Sequence, residues 1–402
     1  MAPCSPPRTR GWVPPVSRQR HLNPRRERQL PVRARHNAAG MALLLLLLLS
    51  ILLRLAGGAA ATASEPSRSP ATALFVLGDS TVSCGGSSSS ILPLNLTAGP
   101  CLFPSAARRR LLPDLLAAKM GLPPPPPIST LNGTAARGVN FGGVQYGGGG
   151  GIFRTGAALG QQLRLAAETL QLLQLEEGNP QQDASSISGA VFVLSFGSDA
   201  YARLLARAPG DADAAAPKHG RRGLGRLLAD RVARGVQELY EADVRRVAVI
   251  GVPPLGCAPR VMWAGGGGGG GCVEEANELI EGYNARLAAR LEELRPQMPG
   301  ADVVFCDVYK GMMEIISNPG RYGFEETTEA CCGLGPFKAT VGCLSKEMAC
   351  RSPERHVWWD LYTPTDVVAN LVTNWSWSWE SPMMGICSPI SLQHLAAGPP
   401  SS

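Results

Sequence analysis

Apolar residues fall into short unbroken runs separated by longer stretches of three- and four-residue spacing. Ala73–Leu77, Ala190–Ser195, Val247–Val252, Val303–Cys306 and Val357–Trp359 are the short runs. They lack polar alternation, which predicts strands buried on both faces. Ser105–Met120, Gly160–Leu175, Leu224–Glu241 and Glu274–Leu294 carry apolar residues one helical turn apart, which predicts amphipathic helices. Strands alternating with helices imply βαβ units and a mostly parallel sheet.

Such sheets place ligands beyond the carboxyl ends of their strands. Asp79-Ser80, Gly197-Ser198-Asp199, Pro253-Pro254, Asp307 and Asp360 all follow predicted strands, so one shared site is expected there. Ser87–Ser90, Pro123–Pro127, Gly147–Gly151 and Gly265–Gly271 read as loops. The first glycine run lacks the Lys-Ser/Thr frame of a phosphate-binding loop. No internal repeat and no second folded domain are visible.

The 402 residues carry a net charge of +6, which is misleading. Residues 1–40 hold nine Arg, no Lys and one acid, Glu27, whereas 65–402 carry 28 basic and 31 acidic residues. The folded part is therefore slightly acidic, and a nucleic-acid partner is not expected. The Arg/Pro-rich 1–40 segment is expected to be a disordered basic extension, absent from the protein if translation starts at Met41. The leucine block after Met41 ends in Ala61-Thr62-Ala63 and reads as a signal peptide over 41–63. It falls short of the about 20 apolar residues a spanning helix needs, and Arg54 interrupts it, so no transmembrane anchor is expected. Residues 64–402 then form a single domain.

Eleven Cys are present, and ten remain after Cys4 is set aside. An even count behind a signal peptide fits disulfides. Cys257 and Cys272 flank a glycine loop, and Cys331, Cys332, Cys343 and Cys350 cluster; these six are the disulfide candidates. Zinc is the rival reading of the cluster, but no Cys-x-x-Cys or paired His accompanies it. Asn95, Asn132 and Asn374 head glycosylation sequons. The expected product is secreted, to the extracellular space or the cell wall.

Ser80 directly follows a strand and is expected to start a helix, where its hydroxyl is exposed and its N–H is free to stabilise an anion. The plainer reading of an isolated Gly-Asp-Ser is a helix cap. Its neighbours decide between them. Gly78-Asp79-Ser80, Arg137-Gly-Val-Asn-Phe141, Phe192-Val-Leu-Ser-Phe-Gly-Ser-Asp199, Val249-Ile-Gly-Val-Pro-Pro-Leu-Gly-Cys257, Tyr283-Asn284, Asp307-Val-Tyr309, Asn318-Pro319, Cys331-Cys-Gly333, Asp360-Leu-Tyr-Thr-Pro-Thr365 and Gly385-Ile-Cys387 resemble the blocks of the plant GDSL esterase/lipase family, in the SGNH hydrolase superfamily. The resemblance covers nearly all of 73–396. It implies a three-layer α/β/α, flavodoxin-like fold and a serine ester hydrolase without cofactor or metal, acting on an acyl-ester or lipid substrate.

The resemblance also assigns roles. Ser80 corresponds to the nucleophile and Asp360 to the carboxylate that orients the base. Ser80, Asp199 and a glycine of the second block, Gly147 or a neighbour, correspond to the oxyanion positions. Two positions depart from the pattern. Thr363 stands in the catalytic His slot, and threonine does not accept a proton near neutral pH. Asp199 stands where the family has Asn, and a carboxylate repels an oxyanion, whereas one lost donor already costs roughly 3–4 kcal/mol. The turn after the nucleophile, Ser83-Cys84-Gly85-Gly86, also departs. His356 reads as a strand-edge residue, His219 lies in a basic loop and His394 near the end of the chain. Two readings result: a secreted ester hydrolase weakened by Thr363 and Asp199, or a catalytically silent SGNH-fold protein that binds a lipid or glycan.

Overall fold

Four parallel strands form the centre of the protein: β1 (Ala73–Gly78), β2 (Ala190–Ser195), β3 (Arg246–Ile250) and β4 (Asp302–Cys306). A short antiparallel strand, β5 (Cys387–Ser388), closes the β4 edge. The computed structural model describes residues 70–83, 110–142, 154–177, 189–205, 218–265, 271–379 and 385–398. These all lie within the compact unit Glu65–Ser402.

Every residue of β1, β2 and β3 is buried, as their unbroken apolar runs require. The register aligns the strand ends. Gly78 pairs with Ser195, Ser195 with Ile250, and Ile250 with Cys306. The carboxyl ends of β1 to β4 therefore form one row, and the residues that follow them share one edge. On the outer side of β1 runs 137–141, whose Val139 carbonyl accepts from Val76 N–H at 3.0 Å and whose Phe141 N–H donates to Val76 at 2.8 Å. Gly138 makes this approach possible. Its φ is +102°, and a Cβ there would lie 2.0 Å from the Leu74 carbonyl oxygen.

Two groups of helices cover the sheet. The first contains α1 (Leu112–Lys119), packed on the helix Asp366–Trp377; the second contains α2 (Arg154–Glu177), packed on Lys218–Glu241. In chain order the others are α3 (Ser198–Leu205), α4 (Lys218–Glu241), α5 (Pro259–Ala264), α6 (Glu274–Leu294), α7 (Val308–Ser317), α8 (Asp366–Trp377) and α9 (Leu392–Ala397). Helices α2, α4 and α6 pack side by side, and α1, α7, α8 and α9 form the other layer. In α6 the buried positions are Ala276, Asn277, Ile280, Tyr283, Asn284, Leu287, Leu291 and Leu294, one stripe at helical spacing. The fold is the three-layer α/β arrangement anticipated from the pattern.

Three local expectations are corrected. Val357–Trp359 is not a sheet strand. It follows a 3₁₀ turn at Pro353–Arg355 and is held by non-sheet partners, with Cys331 and Cys332 N–H donating to the Trp358 and Trp359 carbonyls. The fifth strand is instead Cys387–Ser388, tied to β4 by the Cys306–Cys387 disulfide. Ser80 lies in a turn closed by Val82 N–H donating to the Asp79 carbonyl at 3.3 Å, and no helix begins there within the described residues. His219 falls in the first turn of α4 rather than in a loop.

Among the described residues, three further disulfides are Cys257–Cys272, Cys331–Cys350 and Cys332–Cys343. The sulfur cluster is thus committed to covalent pairs, with Cα separations of 4.9 and 5.0 Å, inside the range a disulfide requires. Among the described residues, no helix is long and apolar enough to cross a membrane. The 1–40 extension, the 41–63 signal segment, Cys84, Cys101, Asn95 and Gly147 lie outside the described residues. Asn132 and Asn374 are both exposed.

Candidate active site

The turn after β1 carries the candidate nucleophile, and backbone contacts fix it. Gln162, on α2 and 1 % exposed, accepts from Gly78 N–H at 2.8 Å and donates to Gly78 C=O at 2.9 Å. Its amide thus binds the last residue of the strand on both polar groups. Asn140 donates to the Val82 carbonyl at 2.7 Å and accepts from Gly142 N–H at 2.8 Å, which ties the far side of the turn to the 137–141 segment. Ser80, between these two clamps, is exposed.

Asp79 is the internal organiser. One oxygen accepts from Thr81 N–H at 3.2 Å and Thr81 O–H at 2.8 Å. The other accepts from Gly197 N–H at 3.0 Å and Asp199 N–H at 3.1 Å. It therefore joins the turn after β1 to the start of α3. Gly197 enters that helix with φ +123°, and a Cβ there would press on Val252 and Tyr283. Burial, and then the neighbouring Asp199 carboxylate, push the Asp79 carboxyl up to about 7, against the hydrogen bonds from Asp199 N–H and from the Thr81 hydroxyl and N–H that pull it down.

Asp199 turns its side chain to Ser80. The Ser80 hydroxyl donates to Asp199 Oδ1, and Ser80 N–H donates to Oδ2 at 3.4 Å. The carboxylate thus faces both the nucleophile's proton and the backbone donor that would meet an oxyanion.

Asp360 sits in the hairpin closed by the Trp358–Pro364 bridge, not at a strand end as expected. Its Oδ1 accepts from Tyr362 N–H at 3.1 Å and Thr363 N–H at 2.9 Å. The Thr363 backbone is therefore held directly against Asp360. Tyr362 links the two halves of the site electrostatically. Burial raises its phenol; the Arg260 charge, and more weakly its hydrogen bond, draw it back, and the carboxylates of Asp360 and Asp199 add to the rise. Arg260 in turn donates to the Ala339 and Thr340 carbonyls at 3.0 and 3.2 Å. It pins the disulfide-bonded 331–350 segment to the Asp360 hairpin.

The histidines have other partners. His356 Nδ1 lies 3.1 Å from the Ser352 carbonyl and 3.7 Å from Cys350 Sγ, and it is half-buried there rather than at a strand edge. His394 Nδ1 lies 2.8 Å from Ser391 Oγ. Asp307, expected at the shared edge, caps α7 by accepting from Lys310 N–H. Asn284 and Asn277 bond the backbone of Val252 and Gly256, so the Val249–Cys257 block is shaped by α6. Among the described residues there is no group of three or more His, Cys, Asp or Glu able to hold a metal ion.

Sequence reasoning missed Gln162, Asn140 and Tyr362. The signal for Gln162 was a polar residue on the apolar stripe of α2 that includes Leu159, Leu163, Ala166, Leu170 and Leu173. A fully buried amide needs partners, and the two backbone groups of Gly78 at the buried end of β1 supply them.

The fold is a three-layer α/β sheet whose first strand ends in a Gly-Asp-Ser turn. The GDSL-like lipase/acylhydrolase family model matches residues 74–375, and the chain belongs to that family. It is 32 % identical over 226 residues to the GDSL esterase/lipase EXL3 of Arabidopsis thaliana, covering 54 % of this chain and 59 % of that protein. A second Arabidopsis thaliana GDSL esterase/lipase is 30 % identical over 330 residues, 75 % of this chain and 84 % of its own length. A third is 27 % identical over 322 residues, covering 75 % and 83 %.

Proposed function

We propose that the protein is a secreted serine ester hydrolase that cleaves carboxylic acyl esters of lipids or wall polymers slowly, through an acyl-Ser80 intermediate. One observation carries this reading: Ser80 is exposed at the carboxyl end of β1 with its hydroxyl already hydrogen-bonded to an acceptor, Asp199. Ser80 is the nucleophile, its N–H contributes to the oxyanion site, and the Gly147 region completes that site. Asp360 shapes the hairpin in which Thr363 replaces the family's base. Secretion is supported by the 41–63 segment, by four disulfides and by exposed Asn132 and Asn374.

A second reading, a silent lipid- or glycan-binding protein, is favoured by the Asp199 carboxylate lying against Ser80 N–H, where an oxyanion would sit. Fluorophosphonate labelling and turnover of p-nitrophenyl acetate decide between them. The hydrolase reading expects labelling and turnover that both vanish in Ser80→Ala. Neither signal in folded wild-type protein would replace it with the binding reading.

A further inference from the structure

Two residues that the family's chemistry uses are altered here, and both alterations meet at one atom group. Thr363 cannot take the nucleophile's proton. Asp199 brings a charge where a donor belongs. Yet the Ser80 hydroxyl donates to Asp199 Oδ1, and Ser80 N–H approaches Oδ2. The described imidazoles are engaged elsewhere, His356 with Ser352 and Cys350 and His394 with Ser391. We propose that Asp199 is the catalytic proton acceptor of Ser80, and that by accepting this proton it also becomes the missing oxyanion donor. The proposal rests on the hydrolase reading above.

The step balances. As Ser80 Oγ bonds to the acyl carbon, its proton passes to Asp199 Oδ1. The carbonyl π pair moves onto the carbonyl oxygen, which becomes the oxyanion. Asp199 is then a neutral carboxylic acid, so the charge that would repel the oxyanion disappears in the step that creates it. An O–H donor now stands beside Ser80 N–H, much as the family's Asn amide does. Collapse of the intermediate breaks the bond to the alcohol oxygen, which takes the proton from Asp199. In deacylation a water adds to the acyl carbon and gives its proton to Asp199. The acid product leaves as that proton returns to Ser80 Oγ.

The surroundings suit a carboxylate that changes charge. Asp79 faces it from the turn after β1 and binds its backbone N–H. The Asp199 carboxylate also acts weakly on the Tyr362 phenol, which burial keeps protonated and to which Arg260 hydrogen-bonds. Tyr283 stands behind Asp79, with its hydroxyl donating to the Phe196 carbonyl at 2.8 Å. Asp79 and Asp199 repel each other while both are ionised, and protonation of Asp199 relieves this.

The test uses the secreted full chain, with fluorophosphonate labelling and p-nitrophenyl acetate turnover as readouts and a thermal melt on each variant. Asp199→Asn keeps shape and restores the family's donor, but removes the acceptor. A positioned base is worth about 10²–10⁴-fold, so both readouts should fall at least 100-fold. Adding Thr363→His to that variant should recover most of the loss, since base and donor then sit on separate residues. Thr363→His alone should gain less than about tenfold, because the acceptor is already present. Asp199→Asn labelling as fast as wild type, or faster, overturns the proposal while leaving the hydrolase reading intact. A gain of 100-fold or more from Thr363→His alone also overturns it. A wild-type chain that neither labels nor turns over sinks the hydrolase reading, and the proposal with it.

Discussion

Gln162 bonds both the N–H and the C=O of Gly78, so the amide of α2 finishes β1 where the sheet has no further partner to give it. The contact also sets where the turn to Ser80 begins. Gly78 has no room for a side chain, since a Cβ would lie 2.3 Å from Val82 and 2.7 Å from the Ser195 carbonyl oxygen.

Gln162→Ala should therefore leave two buried backbone groups without partners. At about 1–3 kcal/mol each, the loss should total roughly 2–6 kcal/mol in urea unfolding. The same variant, still folded at low temperature, should label more slowly at Ser80, because the turn loses one of its two clamps. Wild-type stability in Gln162→Ala would mean that water or a shifted helix serves Gly78 equally well.

The parallel sheet and the long helices were legible because burial on both faces writes itself as unbroken apolar runs, and α6 was bounded correctly at Glu274 and Leu294. The six disulfide candidates stood out by their clustering and by the glycine loop between Cys257 and Cys272, but their order in the chain did not say which sulfurs in the cluster pair, and the turn at Ser80 read as the start of a helix. Long-range polar contacts left weaker traces. Nothing adjacent to Asp199 announces that it bonds Ser80, 119 residues away. Val357–Trp359 has a strand's composition, yet its partners are the disulfide-bonded segment, and composition does not encode a partner. Cys387 finds Cys306 across 81 residues, a pairing that neither spacing nor clustering marks.

Asp79 makes a pH dependence. Its carboxyl is raised to about 7 by burial and by Asp199, whereas an unfolded chain titrates near 3.8. Between these values the folded state holds the proton more tightly. The group's stabilising contribution is thus complete below about pH 4 and is lost as pH rises through about 7. The full span is at most about 4 kcal/mol. Unfolding free energies measured from pH 4 to 8 should fall in wild type relative to Asp79→Asn. The variant should be flatter but less stable at low pH, because its NH₂ meets donors where an oxygen accepted. Parallel profiles for the two proteins would refute the assignment.

The Cys306–Cys387 disulfide closes the longest loop of the four and attaches β5 to the sheet. Loop entropy makes it worth about 4–5 kcal/mol, against about 3 kcal/mol for loops the size of Cys332–Cys343. Paired Ala substitutions should therefore rank in that order in unfolding free energy, with m-values rising as the denatured chain loses its cross-link. Non-reducing peptide maps of secreted protein should recover all four pairs. A smaller loss from the 306/387 pair would show that β5 stays docked through the Ile386 carbonyl, which accepts from Asp307 N–H at 2.7 Å.

Asp360 offers the sharpest contrast with a working imidazole triad. There a carboxylate holds the base in its correct tautomer, and its amide variant loses about 10⁴ in turnover. Here Asp360 Oδ1 receives Tyr362 and Thr363 N–H, and the residue it would orient is a threonine. Asp360→Asn can keep an oxygen on those two donors. Its ester turnover should therefore fall by less than about tenfold, a loss in positioning only. Asp360→Ala removes the acceptor and should cost about 1–3 kcal/mol, with the hairpin loosening around Tyr362. In the Asp199→Asn/Thr363→His background the expectation reverses. An imidazole then stands beside Asp360, and Asp360→Asn should cost 100-fold or more. The same substitution should thus be mild in one background and severe in the other, because only the second contains a base to orient. A severe loss in wild type would show that Asp360 acts on the nucleophile by a route that does not pass through residue 363.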